Sequence, residues 1–267
     1  MKKLFMSLLF IGIFVNSTFA EKIIMEGSTT VLPAAQRAAE TYMDKNSSAD
    51  ITVRGGGSGV GINSLISGTC DIANSSRQIK DSELQLSVSK NKSPKSFVIA
   101  MDGIAVIVNN SNNISTLSKQ QVEDIYTGKV TNWSQVGGKD LKIVVVSRDS
   151  ASGTFESFGE LALNKKKVVN AALMQASNRA VVTLISETPG AIGYVGIGYL
   201  NSQTKVLSID GVKPSKENVL KNKYPYSRPL FMLTNGDPKG EIKKFIDFVL
   251  STDGQDLIEE EGFVPLK

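Results

Sequence analysis

The stretch Arg148-Asp149-Ser150-Ala151-Ser152-Gly153-Thr154 sets a guanidinium beside hydroxyls and a glycine, directly after the apolar run Ile143-Val144-Val145-Val146. The run reads as a strand that delivers the arginine to a turn, and Thr154, Phe155, Phe158 and Leu161 read as the helix that the turn opens. The chemistry on offer is oxyanion binding. A helix N-terminus presents unpaired N–H donors and a partial positive charge, and arginine adds a planar fork of donors matched to phosphate or carboxylate. Taken alone, the stretch is equally a capped helix with a salt-bridged arginine. The same chemistry recurs near the amino end, in Gly27-Ser28-Thr29-Thr30 and in Gly55-Gly56-Gly57-Ser58-Gly59. A run of glycines lets backbone N–H groups approach a ligand closely. It is not a Walker A loop, because no Gly-Lys-Ser/Thr closes it, and its spacing does not fit a dinucleotide fingerprint. A third strand, Asp71-Ile72-Ala73-Asn74, ends in Ser75-Ser76-Arg77, again hydroxyls with a cation.

Other chemistries are poorly served. The chain contains no histidine and one cysteine, Cys70, which removes histidine-based nucleophilic triads and the usual zinc sets. Cys70 cannot form an internal disulfide and, beside an apolar strand, is expected to be a buried structural thiol. Ser87-Val88-Ser89-Lys90 fits S-x-x-K but lacks its companion motifs, so it is read as coincidence. The acidic run Glu259-Glu260-Glu261 is expected on a solvated helix face, not around a metal. No cofactor and no metal ion is expected. Lys165-Lys166-Lys167 is too short and isolated for a nucleic-acid surface.

The elements that must hold these turns alternate between strand and helix along 267 residues. Lys2 and Lys3 precede an apolar run over 4–15, and Thr18-Phe19-Ala20 supplies small residues for cleavage. This predicts an export signal over 1–20 cut after Ala20, hence a periplasmic protein free of the membrane. The formal charge of +4 drops by two when both leader lysines leave. Helices are predicted over 34–45, 62–66, 81–90, 118–126, 154–163, 180–187, 215–222, 240–250 and 253–261. Phe97-Val98-Ile99-Ala100-Met101 and Gly103-Ile104-Ala105-Val106-Ile107-Val108 read as an apolar strand pair around Asp102-Gly103, passing from one lobe to a second. Arg228-Pro229-Leu230-Phe231-Met232-Leu233 reads as the return crossing, and the lone Trp133 as packing. The pattern predicts an α/β fold with mainly parallel sheets. The lobes fall at 21–104 with 228–267 and at 105–227. Every hydroxyl-rich turn follows a strand, where open α/β sheets place their ligands.

Seven blocks occur in order: Gly-Ser-Thr-Thr-Val-Leu-Pro from Gly27, Gly-Gly-Gly-Ser-Gly-Val-Gly-Ile from Gly55, Asp-Gly-Ile-Ala-Val-Ile-Val-Asn from Asp102, Ser-Arg-Asp with Ser-Gly-Thr-Phe after Ser147, Ala-Ile-Gly-Tyr-Val-Gly from Ala191, Tyr-Pro-Tyr-Ser-Arg-Pro-Leu from Tyr224 and Gly-Phe-Val-Pro-Leu from Gly262. Together they resemble the extracytoplasmic phosphate-binding proteins of Pst-type ABC uptake systems, over essentially the whole chain after the leader. The resemblance implies a two-lobed type II periplasmic-binding-protein fold whose lobes, joined by two crossing strands, close on one phosphate ion and pass it to a membrane permease. It implies a binding protein and not an enzyme, acting as a monomer. By position, Ser28, Thr29 and Thr30 match the family's first phosphate turn, Ser58 its glycine-rich turn, and Arg148, Ser152, Gly153 and Thr154 its second-lobe clamp. Ser76 stands where many members carry an aspartate that accepts the proton of hydrogen phosphate. A hydroxyl both donates and accepts, so it rejects sulfate less strongly than a carboxylate would. Sulfate or another tetrahedral oxyanion is therefore the alternative ligand, and a serine-nucleophile phosphatase a remote alternative activity. Arg77 either faces the anion or, as favoured here, pairs with a carboxylate.

Overall fold

The computed structural model describes residues 21–266, so the leader over 1–20 and its cut after Ala20 lie outside the described residues. The chain begins with β1 (Glu21–Gly27), α1 (Leu32–Lys45), β2 (Ala49–Gly55), α2 (Ser58–Ser67), β3 (Ile72–Ser75) and α3 (Asp81–Ser89). In α1, Ala34, Ala35, Ala38, Ala39 and Tyr42 recur at helical spacing and are all buried, and Pro33 sits in the first turn, where its missing N–H costs nothing. β1 runs between β2 and β3, parallel to both. The long strand β4 (Pro94–Asn109) then leaves this lobe.

The second lobe contains β5 (Thr116–Leu117), α4 (Lys119–Tyr126), β6 (Val144–Arg148), α5 (Gly153–Leu161), β7 (Leu173–Gln175), α6 (Asn178–Glu187), β8 (Ala191–Gly196), β9 (Thr204–Val206), β10 (Ser208–Ile209) and α7 (Lys216–Leu220). β11 (Ser227–Asn235) returns to the first lobe, and α8 (Gly240–Leu250) and α9 (Thr252–Glu260) close the chain. Strand order is β2-β1-β3-β11-β4-β8-β6-β7, with β9 also paired to β4.

Two expectations change. The predicted strand pair around Asp102 is one continuous strand, β4, because Asp102 stays extended opposite Arg228 in the β4–β11 ladder. The sheet is also mixed and not mainly parallel. Pairing is parallel within β2-β1-β3 and within β8-β6-β7, but antiparallel where β4 and β11 carry the chain out and back.

Each lobe has its own apolar interior. One gathers Ile23, Met25, Ala35, Leu230 and Phe245, and the other Val106, Tyr126, Trp133, Phe158 and Tyr194. Trp133 is packing, as expected, with its indole N–H donating to the Gly190 carbonyl at 3.0 Å. Ser87 donates to the Leu84 carbonyl at 2.7 Å within α3, an ordinary helical back-bond. Between the lobes lies a layer of buried polar side chains that includes Thr30, Ser58, Asp102, Arg148, Thr154, Asn178 and Arg228.

Candidate functional site

Each predicted turn sits at the carboxyl end of its strand. Ser28 follows β1, Gly56 follows β2, Ser76 follows β3 and Arg148 is the last residue of β6. The turns open helices: α2 begins at Ser58 itself, and α5 begins at Gly153 with Ser152 as its cap, whose hydroxyl accepts from Phe155 N at 3.2 Å. Ser28 holds the first turn, its Oγ accepting from Thr30 N at 3.1 Å. Hydroxyls and helix N-termini therefore face inward from both lobes.

The half-sites touch. Thr30 Oγ1 lies 2.8 Å from Thr154 Oγ1, 124 residues away in sequence. Gly59 N donates to the Ala151 carbonyl at 3.0 Å, and Ser157 Oγ donates to the Ser76 carbonyl at 3.2 Å. Ser58 Oγ accepts from Ser76 N at 3.0 Å and sits 3.4 Å from Ser76 Oγ. Gly153 is required by this approach, since a Cβ there would lie 2.3 Å from Ser58 Oγ and 2.8 Å from Ser76 Oγ. Gly57 is required twice over: its φ is +100°, and a Cβ would meet the Ala151 carbonyl oxygen at 2.6 Å.

Arg148 is the centre of charge. Its side chain is almost wholly buried, yet no carboxylate pairs with it among the described residues. Nε donates to the Gln175 carbonyl at 2.9 Å, and Nη2 donates to the Ala176 carbonyl at 3.0 Å and to Thr29 Oγ1 at 3.2 Å. Nη1 is buried without a hydrogen-bond partner. Burial pushes the guanidinium pKa down, and Tyr194 and Asp149 offset part of that loss. A desolvated cation with one unsatisfied donor is costly unless an anion completes it.

Arg77, by contrast, pairs with carboxylates, as favoured above, although its Nε has no well-aligned hydrogen-bond partner. Its fork meets Glu83 at 2.7 and 2.8 Å, and Nε meets Glu156 of α5 at 2.8 Å. Lys80 reaches the same Glu156 at 2.8 Å.

Three participants were not singled out from the sequence. Asp102 and Arg228, on the crossing strands, form a buried ion pair at 2.8 Å. Arg228 also donates to Thr154 Oγ1 at 3.0 Å, Thr30 Oγ1 at 3.4 Å and the Ser76 carbonyl at 3.1 Å, so one cation touches turns from both lobes. Asn178 Nδ2 donates to Thr29 Oγ1 and Thr30 Oγ1, each at 3.1 Å. A helix starting at Ala180 leaves Asn178 out by two residues, although Ser177 before it is a cap signal. In sequence Arg228 shows only as part of an apolar strand, because its partner is 126 residues away. No group of acidic, cysteine or histidine side chains suited to a metal occurs among the described residues. A surface concavity of about 800 Å³ is lined by Cys70, Lys92, Asp237 and Lys239 and includes none of the predicted site residues.

Two open α/β lobes joined by crossing strands, with strand ends and helix N-termini converging between them, make this a two-lobed type II periplasmic-binding-protein fold. A sequence profile of the PBP superfamily domain matches residues 16–253. The phosphate-binding protein PstS of Bacillus subtilis is 35% identical over 249 residues, covering 91% of this chain and 80% of that one. The protein of the same name from Borreliella burgdorferi is 35% identical over 260 residues, covering 92% and 91%. A candidate phosphate ABC transporter substrate-binding protein from Clostridium perfringens, solved with bound phosphate, superposes with a TM-score of 0.87 at 34% identity, covering 92% of this chain and 100% of that one. An ABC-type phosphate transport receptor from Vibrio cholerae superposes with a TM-score of 0.74 at 36% identity, covering 91% and 99%. The chain belongs to the PstS family of phosphate-binding proteins within the PBP superfamily.

Proposed function

We propose that this chain captures one inorganic phosphate ion between its lobes and delivers it to the permease of an ABC uptake system. It acts as a receptor and not an enzyme, as an exported monomer cut after Ala20. The observation that carries the reading is the buried Arg148 guanidinium, whose Nη1 has no partner at the point where hydroxyls from both lobes converge. Ser28, Thr29, Thr30 and Ser58 bind from the first lobe, with Ser76. Arg148, Ser152, Gly153 and Thr154 bind from the second. Ser28 and Ser152 contribute by holding their turns, each hydroxyl accepting from a backbone N–H of its own turn. The relatives' names and the phosphate bound in the Clostridium perfringens structure support the same ligand.

Binding replaces the hydration shell of the ion with fixed donors, and charge-assisted hydrogen bonds from Arg148 are the strong ones. Residues 21–104 with 228–267 move as one body and 105–227 as the other, bending where β4 and β11 cross. Contacts made by the ion to both bodies favour closure. Calorimetry on ligand-stripped protein is the test, with micromolar or tighter phosphate binding expected. Arg148→Met removes the two Nη1 donors, charge-assisted bonds of about 1.5–3 kcal/mol each, so affinity falls by at least about a hundredfold. An Arg148→Met protein that binds phosphate as tightly as the parent ends this reading.

Sulfate is the second reading, favoured by Ser76: the nearby carboxylate, Asp102, is taken by Arg228, which leaves a serine pair at that side of the site. Competition between sulfate and phosphate across pH separates the two, and a phosphomonoester assay tests the phosphatase alternative.

A further inference from the structure

The directions of the hydroxyl hydrogens at this site follow from counting donors and acceptors, and the count leads to Asn178. A hydroxyl has one hydrogen to give and two lone pairs to accept with; a primary amide has two hydrogens to give. Asn178 is fully buried at the first position of α6. Its Oδ1 accepts from Gly196 N at 3.3 Å, which fixes the amide so that Nδ2 faces the other way. Both Nδ2 hydrogens are then used, one on Thr29 Oγ1 and one on Thr30 Oγ1, each at 3.1 Å.

The consequence propagates. Thr29 Oγ1 also accepts from Arg148 Nη2 at 3.2 Å, so both its lone pairs are occupied and its hydrogen can only be given away. Thr30 Oγ1 accepts from Asn178 and, more weakly, from Arg228 at 3.4 Å, so its hydrogen goes to Thr154 Oγ1 at 2.8 Å. Thr154 Oγ1 accepts from Thr30 and from Arg228 at 3.0 Å, and its hydrogen too is left to give. Nothing comparable constrains the serines: Ser58 Oγ accepts from Ser76 N, and either hydroxyl of that pair can serve as donor to the other.

We propose that Asn178 is a positioning residue for anion selectivity: by donating to Thr29 and Thr30 it commits one hydroxyl from each lobe, Thr29 and Thr154, to donate to the ligand. Asn178 itself need not touch the ion. The charged oxygens of the ligand face the threonines, and an oxygen that bears a proton faces Ser58 and Ser76, the side that can still accept. The inference rests on the proposed phosphate function and adds to it the device that fixes the donor side, opposite Ser76, where the family resemblance already places the ion's proton.

The test is the pH profile of inorganic phosphate binding, by calorimetry from pH 5 to pH 8.5, for the native chain, Asn178→Asp and Asn178→Ala. In Asn178→Asp a nearly isosteric acceptor replaces the donor. Thr29 and Thr30 then turn their hydrogens to the new carboxylate, and the ion loses a donor while facing a like charge. Expected is a loss of at least a hundredfold at pH 8 that shrinks by tenfold or more towards pH 5, where the new carboxyl is protonated and donates again. In Asn178→Ala the threonines are free to accept, so a smaller loss of about tenfold is expected at pH 8, narrowing at acid pH where the ion carries its second proton. Melting temperatures show which variants fold; should Asn178→Asp not fold, Asn178→Ala decides the question alone. A native chain that binds phosphate, with variant profiles running parallel to its own or within threefold of it at every pH, overturns the role of Asn178. A native chain that fails to bind phosphate overturns the functional reading itself, and this inference with it.

Discussion

Glu156→Gln is the sharpest perturbation of lobe closure, because it changes a contact between the lobes without touching the proposed ligand turns. Glu156 lies in the first turn of α5, with one oxygen 2.8 Å from Arg77 Nε and the other 2.8 Å from Lys80 Nζ, both first-lobe residues. The Arg77 and Glu156 side chains are 6% and 18% exposed, so this pair is shielded from solvent, whereas Lys80 is 47% exposed and screened. Glutamine keeps the shape but loses the charge. Arg77 Nε has no well-aligned hydrogen-bond partner, so what glutamine removes there is a close, shielded ion pair, about 1 kcal/mol. The Lys80 contact, discounted as a surface pair, adds about 0.5 kcal/mol.

These contacts exist only when the lobes meet, so the sum of about 1.5 kcal/mol belongs to the closed state and corresponds to roughly a tenfold shift in the closing equilibrium. The loss of an acid from the first turn of a helix costs about 0.3–1 kcal/mol as well, but it does so in both the open and the closed state and drops out. Arg77 keeps its bidentate partner Glu83, so no buried cation is orphaned. Stopped-flow release of phosphate into a scavenger should therefore run about tenfold faster in Glu156→Gln, with association changed less than twofold. The difference should narrow at high salt only by the Lys80 share, since the shielded pair is little screened. A correctly folded Glu156→Gln whose release rate lies within twofold of the parent refutes the reasoning.

Gly153→Ala should abolish closure for a steric reason, since the new Cβ would lie 2.3 Å from Ser58 Oγ; expected is a loss of phosphate affinity of at least about a hundredfold, with the ligand-free melting temperature nearly unchanged, read by calorimetry and thermal unfolding. Burial, with smaller contributions from Glu26 and Asp71, pushes the Cys70 thiol from 9.0 up to about 12, and burial pushes the Tyr194 and Tyr199 hydroxyls from 10.0 to about 12. Their folded values exceed the unfolded ones, so their contribution to stability is complete below about pH 9 and is lost as pH rises towards 12. Thiol reagents at pH 8 should leave Cys70 unmodified until the chain unfolds, and urea midpoints should fall steadily between pH 9 and pH 11.

What the sequence revealed and what it concealed divide along contact range. The turns were legible because their signals are local: a β-branched run, then glycine or hydroxyls, then helical spacing, as at Gly27-Ser28-Thr29-Thr30 and Ser152-Gly153-Thr154. The helix over 240–250 was legible in the same way, from its apolar spacing alone. The continuity of β4 was not, since Asp102-Gly103 carries a turn signal that only the opposing Arg228 overrides. The antiparallel crossing was hidden for the same reason: strand direction is a property of the return path and not of either strand.

The site shows the same division at the level of single hydrogens. Composition places a threonine hydroxyl at a turn, but a hydroxyl is both donor and acceptor, and its direction is decided by whatever donates to it from across the cleft. For Thr29 those donors are Asn178 and Arg148, 149 and 119 residues away. For Thr154 they are Thr30 and Arg228, 124 and 74 residues away. A segment that supplies the right residue types therefore specifies that an oxyanion can be held, while the pairing of distant segments specifies which of the ion's oxygens must be bare. Two chains with identical turns but different residues at position 178 would share the first property and differ in the second, which is why selectivity here is a tertiary quantity and the binding turn a local one.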